Sequence, residues 1–201
     1  MTIVRCSAFL FLIALPGYGQ APQEHHRVVL SSPVDIPARR LYQKLVSHPV
    51  GGIPTPERMK SLSPYLSSSL LHRIAQARAC GNDWFRQHPQ NDIKPPFAWG
   101  EFGLFSGAND RSGPDTFKIE KVESENNGSF RVYIGFTEGN PPEKPWTWQV
   151  ADVVAQEGGR YVIDDVIFLR DKDIDAESRL SEILTKGCDG SRWVGFTKEQ
   201  N

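Results

Sequence analysis

The chain has 201 residues, with 23 Lys and Arg against 24 Asp and Glu and a formal net charge of −1. The two signs are interspersed, so the basic stripe that nucleic-acid binding requires is missing. No stretch is long and apolar enough for a membrane-spanning helix, and the length suits one domain.

The N-terminus reads as a targeting segment. Arg5 precedes the apolar run AFLFLIAL (8–15), which is too short to span a bilayer. Pro16 and Gly17 end the run, and the small residues Gly17, Gly19 and Ala21 follow. We expect residues 1–21 to be a secretory signal peptide, and the mature protein to be secreted or periplasmic. Cys6 lies before the apolar run, which argues against lipoprotein anchoring. Its removal leaves Cys80 and Cys188, which in an oxidising compartment have only each other as intramolecular partners. A loop of about 100 residues closed in this way is worth up to ~4–5 kcal/mol in the chain-entropy model. The rival reading is a catalytic thiol, but neither cysteine has a histidine beside it in sequence.

Residues 22–34 are polar and Pro-punctuated, a flexible mature N-terminus with one short strand at Arg27–Leu30. A single α+β domain is expected over 35–201. It starts with a helix from Pro37 to Ser47, capped by Asp35, with Leu41, Leu45 and Val46 on one face. Thr55, Pro56 and Glu57 start a short helical turn. Ser63-Pro64 opens the longest helix, whose stripe of Leu66, Leu70, Ile74 and Ala77 carries it to about Cys80, where Gly81 breaks or caps it. A weak continuation to Gln87 is open. His72 falls on the polar side and reads as solvated.

Residues 88–116 are rich in glycine and proline and carry Phe97, Trp99, Phe102 and Phe105. Such a loop either plugs the open end of a core or forms a lid over a cavity. Strands at Thr116–Glu123 and Ser129–Thr137 flank the turn pair Asn127-Gly128, with Phe130, Val132, Ile134 and Phe136 on one side. A Pro-rich link leads to WTWQVADVVAQEGGRYVIDDVIFL (146–169), two β-rich arms around Gly158-Gly159. A last helix follows, with Asp175 as cap, Leu180, Ile183 and Leu184 inward, and Gly187 just past its end. Both cysteines then lie just beyond helix ends.

A two-residue turn at Gly158-Gly159 opposes Glu157 to Arg160. Continued residue by residue, it opposes Asp152 to Asp165 on the face that also carries Trp148, Tyr161 and Ile163. Two carboxylates so close repel, so one holds its proton or recruits a cation, as general acid–base chemistry or ligand binding requires. A bulge, an open sheet end, or pairing with Arg131 or Lys121 makes the same residues structural. No G-x-S-x-G elbow, phosphate-cradling Gly loop, His-x-x-x-His or Cys-x-x-Cys occurs, so no metal or cofactor is expected.

The plan of helices, then long antiparallel hairpins, then a closing helix is α+β, with helices on one face of a curved sheet. With Trp148, Gly158-Gly159 and the run Tyr161-Val162-Ile163-Asp164-Asp165-Val166, it resembles the nuclear-transport-factor-2-like superfamily over about 35–186. The resemblance implies a cone whose sheet curls around a pocket lined by Trp148, Asp152, Tyr161, Ile163 and Asp165. That superfamily includes isomerases and dehydratases as well as binding, immunity and transport proteins. The Tyr/Asp set of its isomerase branch has no counterpart here. The expected function is therefore a non-enzymatic domain binding a small apolar ligand or a protein partner. The alternatives are a proton-transfer enzyme using Asp152 and Asp165, with Tyr161 orienting substrate, and an inhibitor that plugs a cell-wall hydrolase with its 88–116 loop.

Overall fold

The computed structural model describes residues 32–90, 93–100, 102–108, 113–139, 144–169 and 177–196. The expected signal peptide, the strand at 27–30 and the Asp175 cap fall outside these. Within them the protein is α+β, built on a five-stranded antiparallel sheet.

Helix α1 (Ile36–Ser47) buries Ala38, Leu41, Tyr42 and Leu45, spaced to form one face. Asp35 does not cap it; its Oδ2 accepts a 2.9 Å hydrogen bond from Arg39 one turn on. Helix α2 (Pro56–Leu62) is capped by Thr55, whose hydroxyl accepts the Arg58 N–H. The chain then departs from the single long helix expected at Ser63. A 3₁₀ turn at Ser63–Tyr65 gives way to extended backbone at Leu66, and Ser67 N–H donates to the Ile163 carbonyl at 2.8 Å. Ser67 then caps helix α3 (Ser68–Gln87), and Glu157 from the sheet accepts the Ser68 N–H at 3.0 Å. A carboxylate at the positive end of a twenty-residue helix is favourable.

Gly81 does not stop α3, and Cys80 lies inside the helix, not beyond it. Gly81 is buried, and a Cβ there would sit 3.0 Å from the Trp99 ring. The missing side chain serves aromatic packing, which outweighs its helix-breaking tendency of ~1 kcal/mol.

The sheet comprises β1 (Thr116–Ser124), β2 (Phe130–Glu138), β3 (Trp146–Glu157), β4 (Arg160–Phe168) and β5 (Ser178–Arg179), paired in that order. Gly128 (φ 83°) and the pair Gly158 (φ 58°) and Gly159 (φ 80°) supply the left-handed backbone at the two tight turns. Helix α4 (Leu180–Thr185) follows directly from β5, starting five residues after Asp175, and β6 (Cys188–Asp189) and β7 (Arg192–Trp193) form a small second sheet.

The main core joins Leu41, Tyr42, Leu45, Leu70, Ile74 and Ala77 of the helices to Val132, Ile134, Phe136, Val150, Val154, Ile163 and Val166 of the sheet. Leu180 and Leu184 belong to the same cluster. A second cluster gathers Cys80, Trp84 and Phe97 with Trp99, Cys188 and Trp193. Here Cys80 and Cys188 are disulfide-bonded, with Cα atoms 6.1 Å apart and a sequence separation of 108. The bridge ties the middle of α3 to β6. Among the described residues, no helix is long and apolar enough to cross a membrane.

Candidate functional site

The expected opposition of Asp152 and Asp165 does not occur. Pairing across the central hairpin runs as predicted from Glu157–Arg160 to Val154–Ile163, then shifts by one residue. Asp164 is the extra residue, so Val153 faces Asp165 and Asp152 faces Val166. Because side chains alternate, that single bulge assigns the two acids to opposite faces of the sheet. Asp152 shares the helix-covered face with Val150 and Val154, whereas Asp165 shares the other face with Ala151, Val153 and Ile167.

Asp152 is fully buried, at 0% exposure. Its Oδ1 lies 2.7 Å from the Tyr42 hydroxyl, which also lies 3.1 Å from the Phe105 carbonyl oxygen. A phenol has one proton and cannot donate to both acceptors. With Asp152 protonated, the carboxyl donates to Tyr42 Oη and Tyr42 donates to the Phe105 carbonyl, so each contact is used. With Asp152 ionised, one contact is lost and a buried charge is left with Oδ2 unpartnered among the described residues. Burial accordingly pushes the Asp152 carboxyl up to about 8, against the pull of the Tyr42 hydrogen bond, with the nearby Asp165 charge adding to the rise. Tyr42 is held well above its ordinary value by burial first and by Asp152 second. At neutral pH this is an uncharged chain joining α1, β3 and the 102–108 loop. A carboxyl with no exposed surface cannot reach a substrate proton.

Asp165 is occupied otherwise. Its Oδ1 accepts the N–H groups of Val166 (2.9 Å) and Ser181 (3.0 Å), and its Oδ2 accepts the Ser181 hydroxyl (2.7 Å) and Arg179 Nη1 (3.4 Å). Ser181 is in the first turn of α4, so Asp165 performs from a neighbouring strand the capping role expected of Asp175. Asp165→Ala should cost about 1–3 kcal/mol in urea unfolding, because it strands the two Ser181 donors, while Arg179, 42% exposed, stays solvated and adds little. An effect within ~0.5 kcal/mol of zero would remove the capping role.

The other candidates disperse. Tyr161 is half-buried with its ring edge-on to Phe130 at 5.7 Å, and Ile163 is at 0% exposure. Neither Arg131 nor Lys121 pairs with Asp152; they bind Glu125 and Glu123, each at 2.8 Å. Phe105 is buried in the main core, Phe102 packs on Phe168 at 5.6 Å, and Phe97 is buried with Trp99 stacked on it at 4.5 Å. His72 is exposed on α3. Among the described residues, no group of three His, Cys, Asp or Glu side chains is placed to hold a metal.

Of the expected pocket residues, Trp148 lines an open cleft, one of about 440 Å³ with Lys118, Glu120, Gly135, Thr137, Thr147, Gln149 and Leu169. Apart from Trp148, Phe136 and Leu169, which follows β4, these positions alternate with the core residues of β1 to β3, so the cleft runs along the face turned away from α1 and α3. Glu120 is the extra residue of a bulge in β1 and accepts a 2.5 Å hydrogen bond from Gln149 Nε2. A Cβ on Gly135 would fall 2.5 Å from Glu120 Oε1, so the glycine leaves room for that pair. Trp148 is fixed by its indole N–H, which donates to the Ser106 carbonyl at 2.7 Å, and Trp146 stacks on it at 4.5 Å. The polar alternation of β1 to β3 was the signal for this cleft, and the apolar face drew the expectation away from it. No family model, curated protein or solved structure matches the chain.

Proposed function

We propose that this protein is a secreted or periplasmic, non-enzymatic binding domain that takes a small polar ligand in the cleft on the open face of its sheet. The observation that carries the reading is the lining: one ammonium, one carboxylate, one amide and two threonine hydroxyls converge beside an indole. Such a set fixes an uncharged or zwitterionic ligand by hydrogen bonds around an apolar contact. It replaces the apolar ligand suggested by the aromatic loop, whose rings are packed against the core and the disulfide cluster. The proton-transfer alternative requires Asp152 and Asp165 to share an accessible site; the burial of one and the four hydrogen bonds of the other weigh against it. The disulfide supports an oxidising compartment. The nuclear-transport-factor-2-like relationship, with its two long hairpins and closing helix, is part of the same proposal, since helices preceding an antiparallel meander is the order such a cone needs.

A ligand-observed NMR screen of sugars, polyols and amino acids, followed by amide-shift mapping, tests this. At least one compound should bind saturably and shift residues 118–120, 135–137 and 147–149. Thr147→Trp, at an exposed cleft position, should weaken it by about tenfold or more with the fold intact. Shifts clustered elsewhere, binding indifferent to Thr147→Trp, or no ligand in the panel would sink the reading.

A further inference from the structure

A second concavity, independent of the sheet cleft, lies between α1 and α2. It holds about 340 Å³ and is lined by Arg40, Gln43, Lys44, Ser47, His48, Arg58, Ser61 and Tyr65. Arg40, Gln43, Lys44 and Ser47 follow the three- and four-residue steps of one helix face, and Arg58, Ser61 and Tyr65 form the facing stripe. Three side chains there carry permanent positive charge, three carry hydroxyls, and none is a carboxylate.

The charges are not offset locally. Arg39, the neighbour of Arg40, is neutralised by Asp35 at 2.9 Å, whereas Arg40 and Lys44 make no ion pair among the described residues. Arg58 is also held in place. Its Nη2 donates to the carbonyls of Lys44 (3.1 Å) and His48 (2.5 Å) at the end of α1. That fixes the guanidinium plane while its Nε and Nη1 make no hydrogen bond among the described residues. An arginine oriented by carbonyls at one nitrogen, with donors to spare at the others, is set up for a planar two-point contact with an oxyanion. Arg40, Lys44 and the Tyr65 hydroxyl add donors around it for an oxyanion, whereas the Ser47 and Ser61 hydroxyls already donate to the Gln43 (3.0 Å) and Arg58 (2.8 Å) carbonyls.

We infer that the α1–α2 cleft is a binding site for a phosphate group, carried by a small soluble ester or presented by a lipid headgroup. The site depends on charge that the cleft concentrates, and it does not require the sheet cleft to bind anything.

The test uses the full mature chain with inorganic pyrophosphate as the soluble probe. Phosphatidylcholine vesicles containing phosphatidic acid are the lipid probe, and sodium chloride at matched ionic strength is the control for screening. Amide shifts should saturate at sub-millimolar pyrophosphate and map to 40–48 and 58–65. Arg40→Gln combined with Lys44→Gln should weaken binding about tenfold or more with an unchanged melting temperature, because neither charge is buried. Lys60→Gln removes an exposed charge on α2 outside the cleft and should leave binding within about twofold. Saturation by pyrophosphate assigns a soluble ligand, and co-sedimentation with vesicles alone assigns a headgroup. Three results overturn the site: binding of neither probe, equal loss in Lys60→Gln, or equal response to sodium chloride. Failure of the sheet cleft in its own screen leaves all these outcomes unaffected, because the two sets of amides do not overlap.

Discussion

Asp152→Asn will raise the stability of the fold at pH 8 and remove most of its pH dependence between about 4 and 8. The sign follows from the direction of the shift. The carboxyl sits at about 8 in the folded chain, against 3.8 for an ordinary aspartate, so the folded state binds the proton more tightly than the unfolded one. Its contribution is fully present below the unfolded value. It falls as pH rises through the window and is gone once pH passes the folded value. At ~1.4 kcal/mol per pH unit, the window corresponds to a change on the order of several kcal/mol. Asparagine keeps the shape, cannot ionise, and can accept from or donate to Tyr42. Urea unfolding of both proteins from pH 5 to pH 9 should therefore diverge steadily, with the variant ahead at the alkaline end. Two parallel curves would mean that Asp152 is not the group responsible. Tyr42→Phe supplies the complementary case. It removes the hydroxyl that partners Asp152, and it should cost about 1–3 kcal/mol in the parent and less in Asp152→Asn.

The second large effect belongs to the disulfide. Cys80→Ala with Cys188→Ala should lower stability by about 2–5 kcal/mol, and on the order of ten degrees in melting temperature for a domain of this size. Two contributions add. The bridge closes a loop spanning 108 residues, which restricts the unfolded chain, and Cys80 is wholly buried against Trp84 and Phe97, so truncation leaves a void among aromatic rings. Dithiothreitol should reproduce the first contribution without the second. Equal melting of oxidised, reduced and variant protein would show that the aromatic cluster alone holds α3 to the C-terminal segment.

How much of this was legible in the chain depended on whether the signal was local. Asn127-Gly128 and Gly158-Gly159 mark turns by backbone chemistry that only such residues satisfy easily, and the alternation of Phe130, Val132, Ile134 and Phe136 marks the inward face. Cys80 and Cys188 named each other only on the expectation that Cys6 leaves with a signal peptide. The bulge was different. Asp164 and Asp165 are chemically identical neighbours, and nothing in their order says which leaves the ladder. Yet a bulge at either residue pairs Asp152 with Val166, and only because Asp164 is the extra one does Asp165 face Val153. Gly81 misled for a related reason: its helix-breaking tendency is local, whereas the Trp99 ring that occupies its missing Cβ comes from a distant loop. Tyr42 sat next to a recognised apolar stripe, and a tyrosine buried there needs a hydrogen-bond partner. Its partner lies 110 residues away, a separation that sequence spacing does not report. Glu157 shows both cases in one residue. Its pairing with Arg160 followed from the turn, but its hydrogen bonds to Ser68 at the start of α3 did not.

The central claim is that the acid in the middle of this sheet is a sealed, neutral structural group. Carboxyl-carbon NMR of the folded protein, followed from pH 3 to pH 9, measures it directly. Asp152 should hold its proton through neutrality and titrate with a midpoint near 8, in step with the loss of stability. A midpoint in the ordinary carboxylate range, below about 5, would mean that the carboxyl is solvated and charged at neutral pH, and would return Asp152 to the list of groups that could act on a substrate.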